Sequence, residues 1–399
     1  MSTPRFKARG EVAIVGYAHS PIYRYTDIPL GALTTQTVLQ AIADAGLTLG
    51  DIDGFTTGAL FPSSGGRQQV DGVHLVTSDW LVEQLGVQPR WLCGFQGVGQ
   101  VPGAVILATN AIATGAADYV VMHRAMFNPP GRYHENPMIA AEGAAQWVAP
   151  QGFWGPPAQM ALAYTEYMQR YGATREDMAT VVVEARRNGA SIPWSHWYDR
   201  PITADDYMNA RMIAEPMSIL DCDLPVTGVG AFVLTSADRA KDLPNRPVYV
   251  AGYAQGRWKA RGSMIHFTLD DMISDGMQVA QILWENSGLE RDDIDVPQLY
   301  DGFSPFIYFW LEALGYCPRG EAHRFVQDGG IRTGSGLPVL SGGGALGNGR
   351  MHGTPQMLEC YLQLSRRAGE RQLAKADVAL ACQAAPNLGG AVLYTAEPR

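Results

Sequence analysis

Short, almost wholly apolar runs alternate along the chain with longer stretches whose apolar residues recur at helical spacing. The first such pair, Val12 to Ser20 (VAIVGYAHS) and Thr34 to Ala45, predicts a strand followed by an amphipathic helix. Val248 to Gly256 and Met272 to Asn286 predict the same order later in the chain. Val101 to Thr114 predicts a further helix that feeds the apolar strand Tyr119 to Met122, and Gly228 to Thr235 predicts a strand after a tight turn. Strands that alternate with helices predict a layered α/β architecture with a buried sheet.

The pattern repeats. VAIVGYAHS matches VYVAGYAQG (Val248 to Gly256) at an offset of 236 residues, and GLTLGDID (Gly46 to Asp53) matches GLERDDID (Gly288 to Asp295) at an offset of 242. Two related halves are expected, 1–245 and 246–399. Between about 127 and 216 the texture changes to segments rich in Pro, Gly, Trp and Tyr, among them MFNPPGRYHENPM and SIPWSHWYDRPIT. This is expected to be an insertion in the first half, either a set of ordered aromatic loops or a cap that walls an apolar pocket.

Composition narrows the function. The 399 residues are 46% hydrophobic and 17% charged, which requires a sizeable core and excludes disorder. A net charge of −9, with no basic run carrying interleaved aromatics, argues against nucleic acid. Cys93, Cys222, Cys317, Cys360 and Cys382 are odd in number and scattered, so neither a disulfide framework nor a zinc site is expected. With no signal-like start and no long apolar span, a cytoplasmic protein without a membrane partner is expected.

Candidate chemistry gathers in the second half. PQLYDGFSPFIYFWLEALGYCPRG places Tyr300 and Asp301 at a predicted strand end before an apolar helix. Eight glycines between Gly334 and Gly353 then form a loop, including Gly343, Gly344 and Gly349, whose backbone can approach a ligand closely. Arg350 and His352 close it. Phosphate-loop, serine-elbow and HExxH patterns are absent, and no GxGxxG follows a first strand.

These C-terminal segments, together with LPVLSGGGALGNGRMHG, AKADVALACQAAPNLGGAV, the opening VAIVGYAHSP, AIATGAADYVVM and the duplication itself, resemble the thiolase superfamily, in particular its sterol-carrier-protein-type members. The resemblance implies a duplicated five-layer α/β/α/β/α fold, a homodimer and a coenzyme A thioester substrate, with coenzyme A as part of the substrate and no separately bound cofactor or metal. It implies a nucleophilic cysteine near Val98, whereas Cys93 lies about five residues early. It implies a second cysteine or histidine near Ala384, two residues beyond Cys382. Tyr300 stands where the family's His-Asp-x-Phe histidine would be, and Arg350 where the Gly-His-x-x-Gly histidine would be.

A cysteine-free site cannot form an acyl-enzyme. The pattern resembles the thiolase-like aldolases of bacterial steroid side-chain degradation, which carry tyrosine at the Tyr300 position. The implied reaction is retro-aldol cleavage of a β-hydroxyacyl-CoA into a ketone or aldehyde and a short acyl-CoA. The implied partner is a small protein with an OB fold and a zinc ribbon. In that branch a second tyrosine usually occupies the Arg350 position. On this reading Tyr300 is the acid/base, and Arg350 lowers its pKa or binds the developing oxyanion, with coenzyme A phosphate as the other use of its charge. His352 is the competing base or a structural residue at a helix start, and Asp301 is a helix cap or a catalytic group. His123, Tyr133 and His134 are further candidates from the first half. A Cys93-dependent acyltransferase and a non-catalytic acyl-CoA-binding scaffold are the alternative functions.

Overall fold

The computed structural model describes residues 4–58, 71–95, 99–128, 146–147, 149–151, 153, 155–256, 268–334 and 337–399. The two GYA segments become adjacent antiparallel strands, β1 (Val12–His19) and β8 (Val248–Gln255), with Ala13 opposite Tyr249 and Ile14 opposite Val248. The other strands are β2 (Gly54–Thr57), β3 (Trp91–Gly94), β4 (Tyr119–Met126), β5 (Met212–Ala214), β6 (Met217–Ser218), β7 (Gly228–Ser236), β9 (Val296–Gln298), β10 (Val378–Gln383) and β11 (Gly390–Thr395). The helices are α1 (Leu30–Asp44), α2 (Ser78–Leu85), α3 (Gln100–Ala113), α4 (Pro156–Tyr171), α5 (Arg175–Gly189), α6 (Ala204–Met208), α7 (Ala237–Ala240), α8 (Leu269–Ser287), α9 (Pro305–Ala313), α10 (Ala322–Gln327), α11 (Gly344–Asn348) and α12 (Thr354–Leu364).

One nine-stranded sheet runs through both halves in the order β3-β2-β4-β7-β1-β8-β11-β10-β9. Outward from the β1/β8 junction each half repeats the same arrangement: an antiparallel neighbour, then a parallel pair, β4 with β2 and β10 with β9. The repeated acidic turns do the same work twice. Asp53 Oδ1 accepts the amides of Asp118 and Tyr119 at the start of β4, and Asp295 Oδ2 accepts those of Asp377 and Val378 at the start of β10.

Strand alternation sets the layers, because successive side chains point to opposite faces. Val12, Ile14, Val120 and Met122 face a central core built on α3 and α12, whereas Ala13, Val15 and Val121 face an outer core with α1 and α2. In the second half Ala379, Ala381, Val392 and Tyr394 share the central core, while Leu380, Cys382, Ala391 and Leu393 face an outer core with α8 and α9. The expected α/β/α/β/α layering follows from these faces.

The inserted region differs from the expected loops where it is described. Residues 156–189 are chiefly the two helices α4 and α5, and Tyr164, Tyr167, Met178 and Val182 pack into the outer core of the second half. Its Pro and Trp content masked the helical spacing Met160, Ala163, Tyr164, Tyr167. Much of the Pro- and Gly-rich part of the expected cap, including Tyr133 and His134, lies outside the described residues. No helix among the described residues is long and apolar enough to cross a membrane.

Candidate active site

Tyr300 lies two residues beyond β9, held by a short pairing with the segment that precedes β7. Cys222 and Phe303 form an antiparallel bridge, Asp223 N donates to Gly302 O at 3.1 Å, and Ser304 N donates to Asp221 O at 3.0 Å. Asp221 fastens that pairing, since its Oδ1 accepts from Tyr207 Oη at 2.8 Å and Ser304 Oγ at 2.5 Å. Opposite Tyr300 stands Asp223, whose charge acts on the phenol. Gly302 permits this geometry, because a Cβ there would lie 2.5 Å from Tyr300 Oη.

The electrostatics follow from burial. Tyr300 is 6% exposed, and desolvation with the nearby Asp223 and Asp301 drives its phenol well above the ordinary range. The leading cation opposing that rise is Arg124. Asp223 is likewise raised well above the usual carboxylate range by burial and by Asp301, and its buried Oδ2 has no hydrogen-bond partner among the described residues.

Asp301 is fully buried. It does not cap α9, the helix that follows it, but reaches across to the glycine loop. Its carboxylate accepts Ala345 N at 2.6 Å, Leu346 N at 3.0 Å and Gln356 Nε2 at 2.9 Å, and burial pushes its pKa up to about 7. Gly344 adopts φ +59, and a Cβ on it would stand 2.3 Å from Asp301 Oδ2. Gly343 packs on the backbone of Gly189, and Gly349 packs on Val226.

The loop ends among cations. Arg350 is buried, its amide donates to Leu224 O at 2.8 Å, and desolvation with Arg124 and Arg24 lowers its guanidinium to about 9. Arg24 donates to the next carbonyl, Pro225 O. His352, at φ +45, meets Arg124 Nη2 through Nδ1 at 3.0 Å. A guanidinium only donates, so Nδ1 is the acceptor and the ring proton sits on Nε2. Gln100 Oε1 lies 3.2 Å from the same Nδ1, and since both are acceptors this contact is not a hydrogen bond. Burial, Arg350 and Arg124 hold His352 well below its ordinary pKa, so it is neutral and offers no free basic Nδ1.

The structure therefore brings Tyr300, Asp301, Arg350, His352 and the glycine loop into one neighbourhood. His123 is not part of it. Its ring sits on the opposite face of β4 from Arg124, fully buried, with Nε2 3.2 Å from Val76 O. Cys93 is on the edge strand β3, Val98 lies outside the described residues, and Cys382 is buried in the outer core with its thiol pushed well up. Sequence reasoning missed Arg124, Asp223 and Gln100. Arg124 had a signal, a lone Arg in the otherwise buried strand YVVMHRAM; Asp223 looked like an ordinary loop acid in LDCDLP.

Comparison with known proteins places the site in context. Residues 262–393 match the thiolase C-terminal domain-like family. The chain is 35% identical over 366 residues to 17-hydroxy-3-oxo-4-pregnene-20-carboxyl-CoA lyase of Mycobacterium tuberculosis, covering 89% of this chain and 92% of that protein. It is 36% identical to a steroid side-chain-cleaving aldolase of Thermomonospora curvata, covering 86% and 88%. The solved Ltp2-ChsH2(DUF35) aldolase superposes with a TM-score of 0.85 at 31% identity, covering 98% of this chain and 99% of that one.

Proposed function

The chain belongs to the thiolase-like steroid side-chain-cleaving aldolases, and on that premise we propose how its own residues perform the cleavage. The enzyme is a carbon–carbon lyase. It splits a β-hydroxyacyl-CoA thioester by a retro-aldol reaction, releasing a ketone or aldehyde and a shorter acyl-CoA, with a steroid side chain or a similarly bulky apolar group as the acyl portion.

The observation that carries the mechanism is the placement of Tyr300 between a carboxyl group and a buried cationic cluster. Retro-aldol cleavage must remove the β-hydroxyl proton and hold the thioester enolate as the Cα–Cβ bond breaks. Tyr300 meets the β-hydroxyl. Its raised pKa means that it acts as a neutral phenol exchanging protons, not as a preformed phenolate. Arg124 and Arg350 supply positive charge for the enolate, and the Nε2–H of His352 is available as a neutral donor to the enolate oxygen. Asp301 acts at one remove by fixing the amides of the glycine loop.

Coenzyme A enters as part of the substrate. A small DUF35-type partner with an OB fold, and a homodimer of this chain, complete the proposed assembly; the similarity to the Ltp2-ChsH2(DUF35) aldolase supports the first. The test is incubation with a panel of β-hydroxyacyl-CoA thioesters, with and without a co-expressed DUF35 protein. A released carbonyl compound with a shortened acyl-CoA is expected, and consumption of free coenzyme A in a thiolytic reaction would overturn the reading.

A further inference from the structure

A phenol that receives a proton must release its own, and the retro-aldol reading, on which this inference rests, leaves that second proton without a destination. We propose that Asp223 is the terminal proton acceptor behind Tyr300, so that the two side chains form a relay with Tyr300 on the substrate and Asp223 as its positioning and proton-holding partner.

The geometry supports the pairing from three directions. Asp223 N is bonded to Gly302 O, which fixes the backbone of one residue against the turn that carries the other. Gly302, whose carbonyl holds Asp223 N, also packs against the phenol, since a Cβ on it would lie 2.5 Å from Tyr300 Oη. Asp223 is 8% exposed, and its Oδ2 is buried with no partner among the described residues. A buried carboxyl group with an unmet hydrogen-bonding atom is costly for the fold and calls for an explanation.

The groups around it define its chemistry. Tyr300 and Asp301 face it from the segment after β9, and Asp221 and Cys222 flank it on its own segment. Arg124 acts on Tyr300 from β4, and Arg350 is tied to the adjacent Leu224 through its amide. Burial and Asp301 both raise the proton affinity of Asp223, which makes the ionised form a stronger base than an ordinary carboxylate.

The step balances. The β-hydroxyl proton moves to Tyr300 Oη as the phenolic proton moves to the Asp223 carboxylate. The O–H electron pair becomes the π bond of the released carbonyl compound, the Cα–Cβ bond breaks, and its electrons form the thioester enolate. In return, Asp223 gives its proton to Tyr300 as Tyr300 protonates Cα, which restores both groups and yields the acyl-CoA.

The test is the pH dependence of kcat and KM for the full chain in its cleavage-competent assembly. Only ionised Asp223 can accept, so wild-type kcat should fall on an acid limb lying above the ordinary carboxylate range. Asp223→Asn is expected to lower kcat by ~100-fold or more and abolish that limb, with KM within about threefold. Asp223→Glu should keep a limb with a moved midpoint. Thermal melting checks folding; if Asp223→Asn does not fold, Asp223→Glu decides, and an unmoved midpoint overturns the relay. A wild-type limb that persists in Asp223→Asn overturns the relay alone. A wild type that cleaves no β-hydroxyacyl-CoA overturns the retro-aldol reading and the relay with it.

Discussion

Arg124 Nη2 stands 3.0 Å from Nδ1 of His352, joining a strand of the first half to the end of the glycine loop in the second. The contact makes His352 an acceptor for a buried guanidinium. His352→Asn keeps an acceptor near the Nδ1 position and suits φ +45, whereas His352→Ala loses the acceptor and suits that backbone poorly. Urea denaturation at pH 7.5 should show the alanine variant ~1–3 kcal/mol less stable than wild type and the asparagine variant within about 1. The asparagine variant should cleave more slowly yet keep the acid limb of kcat. Loss of that limb would make His352 the base.

Tyr300→Phe keeps the ring packed beside Phe306 and removes only the hydroxyl. Product release should fall by ~10²–10⁴-fold, the range of general acid–base catalysis, with an unchanged circular dichroism spectrum. Turnover within a few-fold of wild type would remove Tyr300 from the mechanism.

How much of this was legible in the chain depends on the range of the signal. The β1/β8 motif and the paired acidic turns could be read because each unit is local and occurs twice. Tyr300, Asp301 and the glycine loop could be read because they are contiguous and resemble a known pattern. Arg124 and Asp223 could not be placed, since each acquires its role from a contact across the two halves. Asp301 shows the same limit: an Asp before a helix suggests a cap for that helix, but tertiary packing aims it at amides 44 and 45 residues away.

That contact makes Gly344 a sensitive position. Gly344→Ala would set a methyl 2.3 Å from Asp301 Oδ2 and strain a φ of +59, so the carboxylate and the start of α11 cannot both stay in place. Hydrogen exchange at Ala345 and Leu346 should accelerate, and cleavage should be lost. Asp301→Asn should also weaken protection of these amides, at a cost of ~1–3 kcal/mol, because a charged acceptor for two buried N–H groups is replaced by a neutral one. Unchanged exchange in both variants would show that Asp301 does not hold the loop.

Acid stability carries a contribution from His123. Fully buried and held neutral, it has its pKa lowered by burial to about 4, below the ordinary 6.5. The unfolded chain therefore takes up this proton first on acidification. The stability associated with His123 is present above pH 6.5 and is lost as the pH falls toward 4, by about 2 kcal/mol between pH 7 and pH 5. Asp301 works in the opposite direction. Its carboxyl, raised to about 7, gains a proton in the folded state over the same window, and folding is favoured as pH falls until about 3.8. His19 and His352 share the sign of His123, and Asp223 shares that of Asp301, so total stability mixes these slopes and a variant is needed to separate them. His123→Gln retains an amide that can donate to Val76 O and removes the titration. Urea midpoints at pH 7 and pH 5 should show its deficit relative to wild type shrinking by about 2 kcal/mol. A constant deficit at both pH values would mean that His123 is not a buried neutral group.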